Sequence, residues 1–140
     1  MNSRTKNIKG DVFADDRGFV RFVNEFDFTN VKRFYQVENH SKGFIRAWHA
    51  HEEEAKYVYV AKGSALVGAV DLKTETVTKT TLSSQAPSVL YIPAGFANGF
   101  KTLEDNTILM FFSTSTLEES KGDDIRFAHD KWNIWKDDYR

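Results

Sequence analysis

Short hydrophobic runs of period two, each closed by a turn signal, leave this chain few folds to choose from. Tyr57–Val60, Ala65–Val70, Thr76–Leu82, Ser88–Ile92 and Thr107–Phe112 are rich in β-branched and aromatic residues. Such alternation presents one face to a core and the other to solvent, which marks strands rather than helices. Lys62-Gly63-Ser64, Asp71-Leu72-Lys73-Thr74, Gln85-Ala86-Pro87, Pro93-Ala94-Gly95 and Glu104-Asp105-Asn106 separate the runs with turn-forming residues. Upstream, Asp15-Asp16-Arg17-Gly18 turns into a strand over Phe19–Val23, and Val31–Val37 reads as another. No long amphipathic helix is evident, and short helical pieces are expected only around Leu117–Ser120 or Ile125–Trp132. Many short strands at close spacing predict an all-β sandwich or barrel.

The 140 residues carry no linker or low-complexity stretch, so one domain over 1–140 is expected, with residues 1–6 fraying. No apolar run approaches the roughly 20 residues of a membrane helix, and no signal-peptide pattern follows Met1. The expectation is a cytoplasmic protein without membrane contact. Interspersed charge, 19 basic against 20 acidic residues, gives no support to nucleic-acid binding. The absence of cysteine excludes disulfides, thiolate metal sites and thiol nucleophiles. Twelve Phe, five Tyr and three Trp first of all supply a well-packed β core. Tyr35, Tyr57, Tyr59 and Tyr91 are read mainly as packing, and Trp132 and Trp135 as cover for the barrel or a dimer interface.

Chemistry concentrates in Arg46-Ala47-Trp48-His49-Ala50-His51, with Lys56 shortly after. Strand alternation sends His49 and His51 to one face. A base that titrates near neutrality would then share a cavity with cations. That grouping suits an anionic substrate with an acidic C–H bond, but it also resembles half a metal site.

Gly43-x5-His49-x-His51 and Pro93-x-Gly95 resemble the two motifs of the cupins, which implies a jelly-roll barrel of two antiparallel sheets with short C-terminal helical segments. Metal-binding cupins place a Glu after three or four further residues and a third His after Pro-x-Gly. Here those positions hold Ala55 or Lys56, and Asn98, while Glu52, Glu53 and Glu54 come too early. A cation beside a divalent ion is unfavourable, and two imidazoles leave its coordination incomplete. No metal and no cofactor are expected.

The resemblance narrows to metal-free cupins that epimerise or isomerise nucleotide-linked 4-keto-6-deoxy sugars, of which the dTDP-4-dehydrorhamnose 3,5-epimerases are the best known. It runs from about Asp15 to Trp135. Asp16-Arg17-Gly18-Phe19 is similar to that family's early turn, and Phe34–Ser41 to its Phe-x-Gln-x-Asn-x-Ser strand end, with one extra residue. Arg46-Ala47-Trp48-His49 resembles Arg-Gly-Leu-His, and Ala55-Lys56-Tyr57-Val58 resembles Ala-Lys-Leu-Val. Ile92–Phe100 resembles Ile-Pro-x-Gly-Phe-Ala-His-Gly-Phe, with Asn98 at the His. The resemblance implies His49 as the general base next to the ketone, Lys56 as the stabiliser of the enolate, and a homodimer. It implies substrate contacts from Arg46, Arg17, Tyr35, Gln36, Asn39 and Asn98, with two readings open for Arg17: a phosphate ligand across a dimer interface, or a solvated turn residue. The substrate would be linked to dTDP or UDP, and the product would enter surface polysaccharide synthesis.

Departures from the family pattern open a second reading. The family's Tyr acid falls near Leu117, and the carboxylate that orients the base falls at His129 or, one residue on, at Asp130, which is preferred. Loss of an opposite-face acid points to the sugar 3,4-ketoisomerases, whose Arg-Gly-aromatic-His-Ala-His resembles residues 46–51 and would make His51 a second proton carrier. Lys32-Arg33-Phe34-Tyr35 resembles their site-lining strand. A non-catalytic sugar-nucleotide-binding cupin is the alternative from another class.

Overall fold

The computed structural model describes residues 4–137. Twelve strands and one short helix follow in order: β1 (Lys6–Lys9), β2 (Asp11–Asp15), β3 (Gly18–Phe22), β4 (Arg33–Asn39), β5 (Ile45–His51), β6 (Lys56–Lys62), β7 (Ser64–Asp71), β8 (Val77–Ser83), β9 (Ser88–Ile92), β10 (Phe96–Thr102), β11 (Thr107–Ser113), α1 (Leu117–Lys121) and β12 (Ile125–Arg126). Two five-stranded antiparallel sheets, β1-β9-β6-β11-β4 and β12-β5-β10-β7-β8, pack face to face as a cupin jelly roll. The hairpin β2–β3 belongs to neither sheet. Of the residues expected to fray, 1–3 lie outside the described residues, and Lys6 opens β1, paired with Tyr91 of β9.

Alternation places the core. Val58, Val60, Val67, Leu82, Leu90, Ile92, Leu109 and Phe111 point inward from both sheets and meet between them. A second cluster covers the outer face of the β5 sheet. There Trp48, Ala50, Val70 and Ala97 lie under Trp135, with Trp132 and Ile134 packed alongside. Trp48 and Trp135 both donate their indole N–H to the His129 carbonyl, at 3.1 and 3.0 Å. The C-terminal segment therefore covers the barrel, one of the two roles expected of Trp132 and Trp135.

One expected element is different. Residues 125–132 form no helix. Phe127 and Trp48 exchange backbone hydrogen bonds of 3.1 and 3.2 Å, and Ile125–Arg126 pairs with β5. The edge of β5 would otherwise present unpaired N–H and C=O groups, and pairing them outweighs local helix preference. The helix at Leu117–Lys121 does form, capped by Thr116 and Glu119 in a reciprocal capping box.

A bulge aims the strand that carries the histidines. Asn98 of β10 stands opposite His49, but Phe100 stands opposite Arg46, so Ala47 and Trp48 of β5 stand against the single Gly99 of β10. Strict alternation would send Arg46 and His49 to opposite faces; the extra residue turns both inward. Gly99 permits the close approach, because a Cβ there would lie 2.5 Å from the Ala47 Cβ.

Trp48, 1% exposed, anchors the tail to the barrel. Trp48→Ala should cost about 3–5 kcal/mol, the usual range for a large buried aromatic. A urea midpoint close to that of the unmodified protein would show that the tail is held elsewhere.

Candidate active site

A cavity of about 200 Å³ opens between the sheets, lined by Tyr35, Val37, Arg46, His49, Lys56, Asn98, Phe100 and Phe111. β4, an edge strand, supplies Tyr35 and Val37, and the bulged β5 supplies Arg46 and His49. Lys56, only 7% exposed, enters from β6. Its Nζ donates to the Tyr35 hydroxyl at 2.9 Å. The same ammonium lies 5.5 and 5.8 Å from the ring centres of Tyr35 and Phe111, so aromatic faces replace part of its lost hydration.

The polar wall is held from behind. Arg46 Nε donates to Asn39 Oδ1 at 2.7 Å, and buried Asn39 donates in turn to Thr102 Oγ1 at 3.3 Å. Asn98 donates to the His49 carbonyl at 3.3 Å. These bonds fix the direction of side chains that share the cavity with an apolar floor.

His49 is half-buried, and burial is the first cause holding its imidazole below the ordinary value. Arg126 and Lys56 push the same way, Asp124 opposes them, and His51 adds to the lowering. The ring is thus kept neutral and able to accept a proton at neutral pH. The guanidinium that acts on it is that of Arg126, directly across the β12–β5 pair.

Several sequence-chosen residues lie elsewhere. Gln36 faces outward, because β4 alternates and Tyr35, Val37 and Asn39 take the inner positions. Asp130 is exposed in the turn over 128–131, and the carboxylate acting on His49 is that of Asp124. Arg17 sits at the tip of the β2–β3 hairpin, paired with Asp15 at 2.5 Å and away from the cavity of its own chain. His51 is buried but does not line the cavity. Its Nε2 lies 3.5 Å from the buried Glu54 Oε1, in a group that also holds the partly buried Arg33 and the buried Ser113.

Glu54, Arg33, Arg126 and Asp124 were not foreseen. Glu52-Glu53-Glu54 looks like a solvated acidic run, and nothing in it singles out its last member. Asp123 makes the difference: its carboxylate accepts the backbone N–H of Glu52, Glu53 and Glu54 at 2.8, 2.9 and 3.2 Å. That clamp shapes the loop so that Glu54 alone turns inward. Among the described residues, no three His, Asp or Glu side chains gather in a way that could hold a metal ion.

A jelly roll with a neutral imidazole, a buried ammonium and a hydroxyl around one small cavity is a cupin equipped for proton transfer. The family model for dTDP-4-dehydrorhamnose 3,5-epimerase matches residues 4–138, and the chain belongs to that family. It is an enzyme of the isomerase class, a sugar-nucleotide epimerase or isomerase. It is 27% identical over 138 residues to the spore coat polysaccharide biosynthesis protein SpsL of Bacillus subtilis, covering 91% of each chain. The crystal structure of dTDP-4-dehydrorhamnose 3,5-epimerase from Sulfolobus tokodaii is similar at 31% identity and a TM-score of 0.76, over 93% of this chain and 81% of that one. A 3,4-ketoisomerase from Helicobacter canadensis shares the fold at 18% identity and a TM-score of 0.72, over 90% and 92%. The curated epimerases are longer, and the chain spans between 37% and 76% of them.

The lowered imidazoles make stability depend on acid. His49 and His51 are neutral when folded, but in the unfolded chain they charge near ~6.5. Between those values the unfolded state binds more protons, so stability falls as pH drops below about 6.5. Asp15, Asp27 and Glu119 lie below the ordinary carboxylate range, so their contribution is lost only in stronger acid. Thermal melts from pH 8 to 5 should decline from near 6.5, less steeply in His49→Asn. A melting temperature constant down to pH 5 would count against the neutral buried imidazoles.

Proposed function

We propose that this enzyme moves a proton next to the ketone of a nucleotide-activated 4-keto-6-deoxyhexose, without a metal, and inverts C3, C5 or both, as a step in surface polysaccharide synthesis. One observation carries the reading: His49 and Tyr35 come from opposite sheets to the same cavity, with Lys56 bonded to Tyr35. His49 takes the proton alpha to the ketone. The electron pair moves onto the ketone oxygen, where the Lys56 ammonium and the Asn98 amide stabilise the enolate. Tyr35 returns a proton to the opposite face of the same carbon, and its phenolate stays hydrogen-bonded to Lys56 until solvent restores both groups. Tyr35 thereby fills the acid role for which the resemblance offered Leu117.

The cavity size supports an activated sugar. About 200 Å³ is below the ~300–1,000 Å³ that encloses a drug-sized ligand, so the hexose would enter and the nucleotide would lie outside. Arg46, exposed on one side and lining the cavity on the other, suits the phosphates at that boundary. The position of His51 away from the cavity favours epimerisation over a 3,4-keto shift, which would need it as a second carrier. With a panel of dTDP- and UDP-linked 4-keto sugars in deuterium oxide, NMR should show inverted C3 or C5 carrying solvent deuterium. His49→Ala should abolish exchange, and Tyr35→Phe should keep exchange while slowing product formation by about 10²–10⁴-fold, the usual contribution of a general acid. A ketone moved to C3 would establish the isomerase instead, and tight binding without any exchange would establish a non-catalytic binder.

The reading includes a homodimer. A two-stranded hairpin is marginal alone, yet β2–β3 joins neither sheet and exposes Phe13, Phe19 and Val20. A second copy covering that face would bring Arg17 near another chain's substrate phosphates. Sedimentation should give a dimer that Phe19→Asp weakens, with KM rising in Arg17→Ala; a monomeric active enzyme would remove this role for Arg17.

A further inference from the structure

Glu54 is the one acidic side chain buried among the described residues, and the loop that carries it is clamped by Asp123. Its Oε2 accepts from Ser113 Oγ at 2.5 Å and lies 3.6 Å from the Arg33 guanidinium. Its Oε1 is buried without a hydrogen-bond partner and lies 3.5 Å from His51 Nε2. A buried carboxylate is stable only when charges and donors face it, and here they are Ser113, Arg33 and His51. Arg33 in turn lies 5.0 Å above the Tyr35 ring, and Tyr35 accepts from Lys56.

We infer that Glu54 is a positioning residue of the active site: it holds His51 with the proton on Nε2 and, through Arg33, fixes Tyr35 and Lys56 at the cavity. The catalytic part of this inference rests on the proposed roles of Tyr35 and Lys56; the tautomer of His51 does not. An N–H on Nε2 aims at the unpartnered Oε1 and completes the carboxylate's bonding with a small movement. The guanidinium, held by Glu54 from one side, closes one face of the Tyr35 ring and limits its rotation.

The groups facing His51 define what removal of Glu54 does. Burial and Lys56 of β6 lower its affinity for a proton, while Glu54, Asp123 and Asp124 raise it. His49 stands two residues away on β5 and also feels its charge. Glu54→Gln keeps an acceptor for the Nε2 proton but removes the charge, so His51 should titrate at lower pH while keeping its tautomer. Glu54→Leu removes both.

The test pairs a substrate-free measurement with kinetics. Nitrogen-15 NMR of the histidine rings should report Nε2–H for His51 in the wild type and Glu54→Gln, with titration moved to lower pH in the latter. The kcat on the accepted sugar nucleotide should fall by about 10–100-fold, the range for losing an outer partner of a catalytic group, while KM changes little. Ser113→Ala, which removes one bond and leaves the carboxylate, should give a smaller change of the same kind, and it decides the matter if the Glu54 variants do not fold. An unchanged His51 titration in Glu54→Gln, or a wild-type His51 ring carrying its proton on Nδ1, would overturn the pairing. A KM effect without a kcat effect would overturn the positioning of Tyr35. If no sugar nucleotide reacts with the wild type but His51 shifts as described, the His51 pairing is upheld and the proposed reaction fails.

Discussion

The pairing of β5 with β10, one residue out of step, is the constraint on which the site depends. Its hydrogen bonds fix His49 opposite Asn98 and, past the bulge, Arg46 opposite Phe100. The same strand turns Trp48 outward under Trp135, so core packing on one face and the imidazole on the other are set together. A one-residue slip would exchange them, burying charge and exposing indole. The register is therefore protected by two opposed penalties, and the geometry of the candidate site inherits that protection.

Around this strand, charge is managed by burial and partnership. Lys56 stands inside the barrel against aromatic faces and the Tyr35 hydroxyl, while Glu54 collects Arg33, Ser113 and His51. The cavity thus holds its cation in place before substrate arrives. Preorganised charge of this kind favours an enolate more than a ketone, since the stronger interaction forms only as the negative charge develops. The lowered proton affinity of His49 belongs to the same arrangement, because burial and nearby cations keep it free to act as a base.

The strands and the central residues of the site were legible because their signals are local. Period two and turn residues placed β6 to β9 and β11 closely, and short-range spacing brought His49 and Lys56 into view. The errors fall where distant segments meet. Residues 125–132 carry no local mark of joining β5, since that preference comes from the unpaired edge it covers. Gln36 was chosen beside Tyr35 by motif, but a strand can point only one of two neighbours into a cavity. Asp130 was chosen by spacing, whereas the approach of Asp124 and Arg126 to His49 follows from the β12–β5 register.

Alternation and turn chemistry, written in adjacent residues, were enough for an all-β sandwich or barrel with a cationic cluster around His49, and the motif resemblance narrowed it to a cupin jelly roll. Only the tertiary structure decided which polar groups share the cavity. It drew Tyr35 across from His49, set His51 against Glu54, and brought the charge of Asp124, rather than Asp130, to bear on His49. Those choices depend on a bulge, an edge pairing and a clamped loop, each fixed by contacts between segments far apart in the chain.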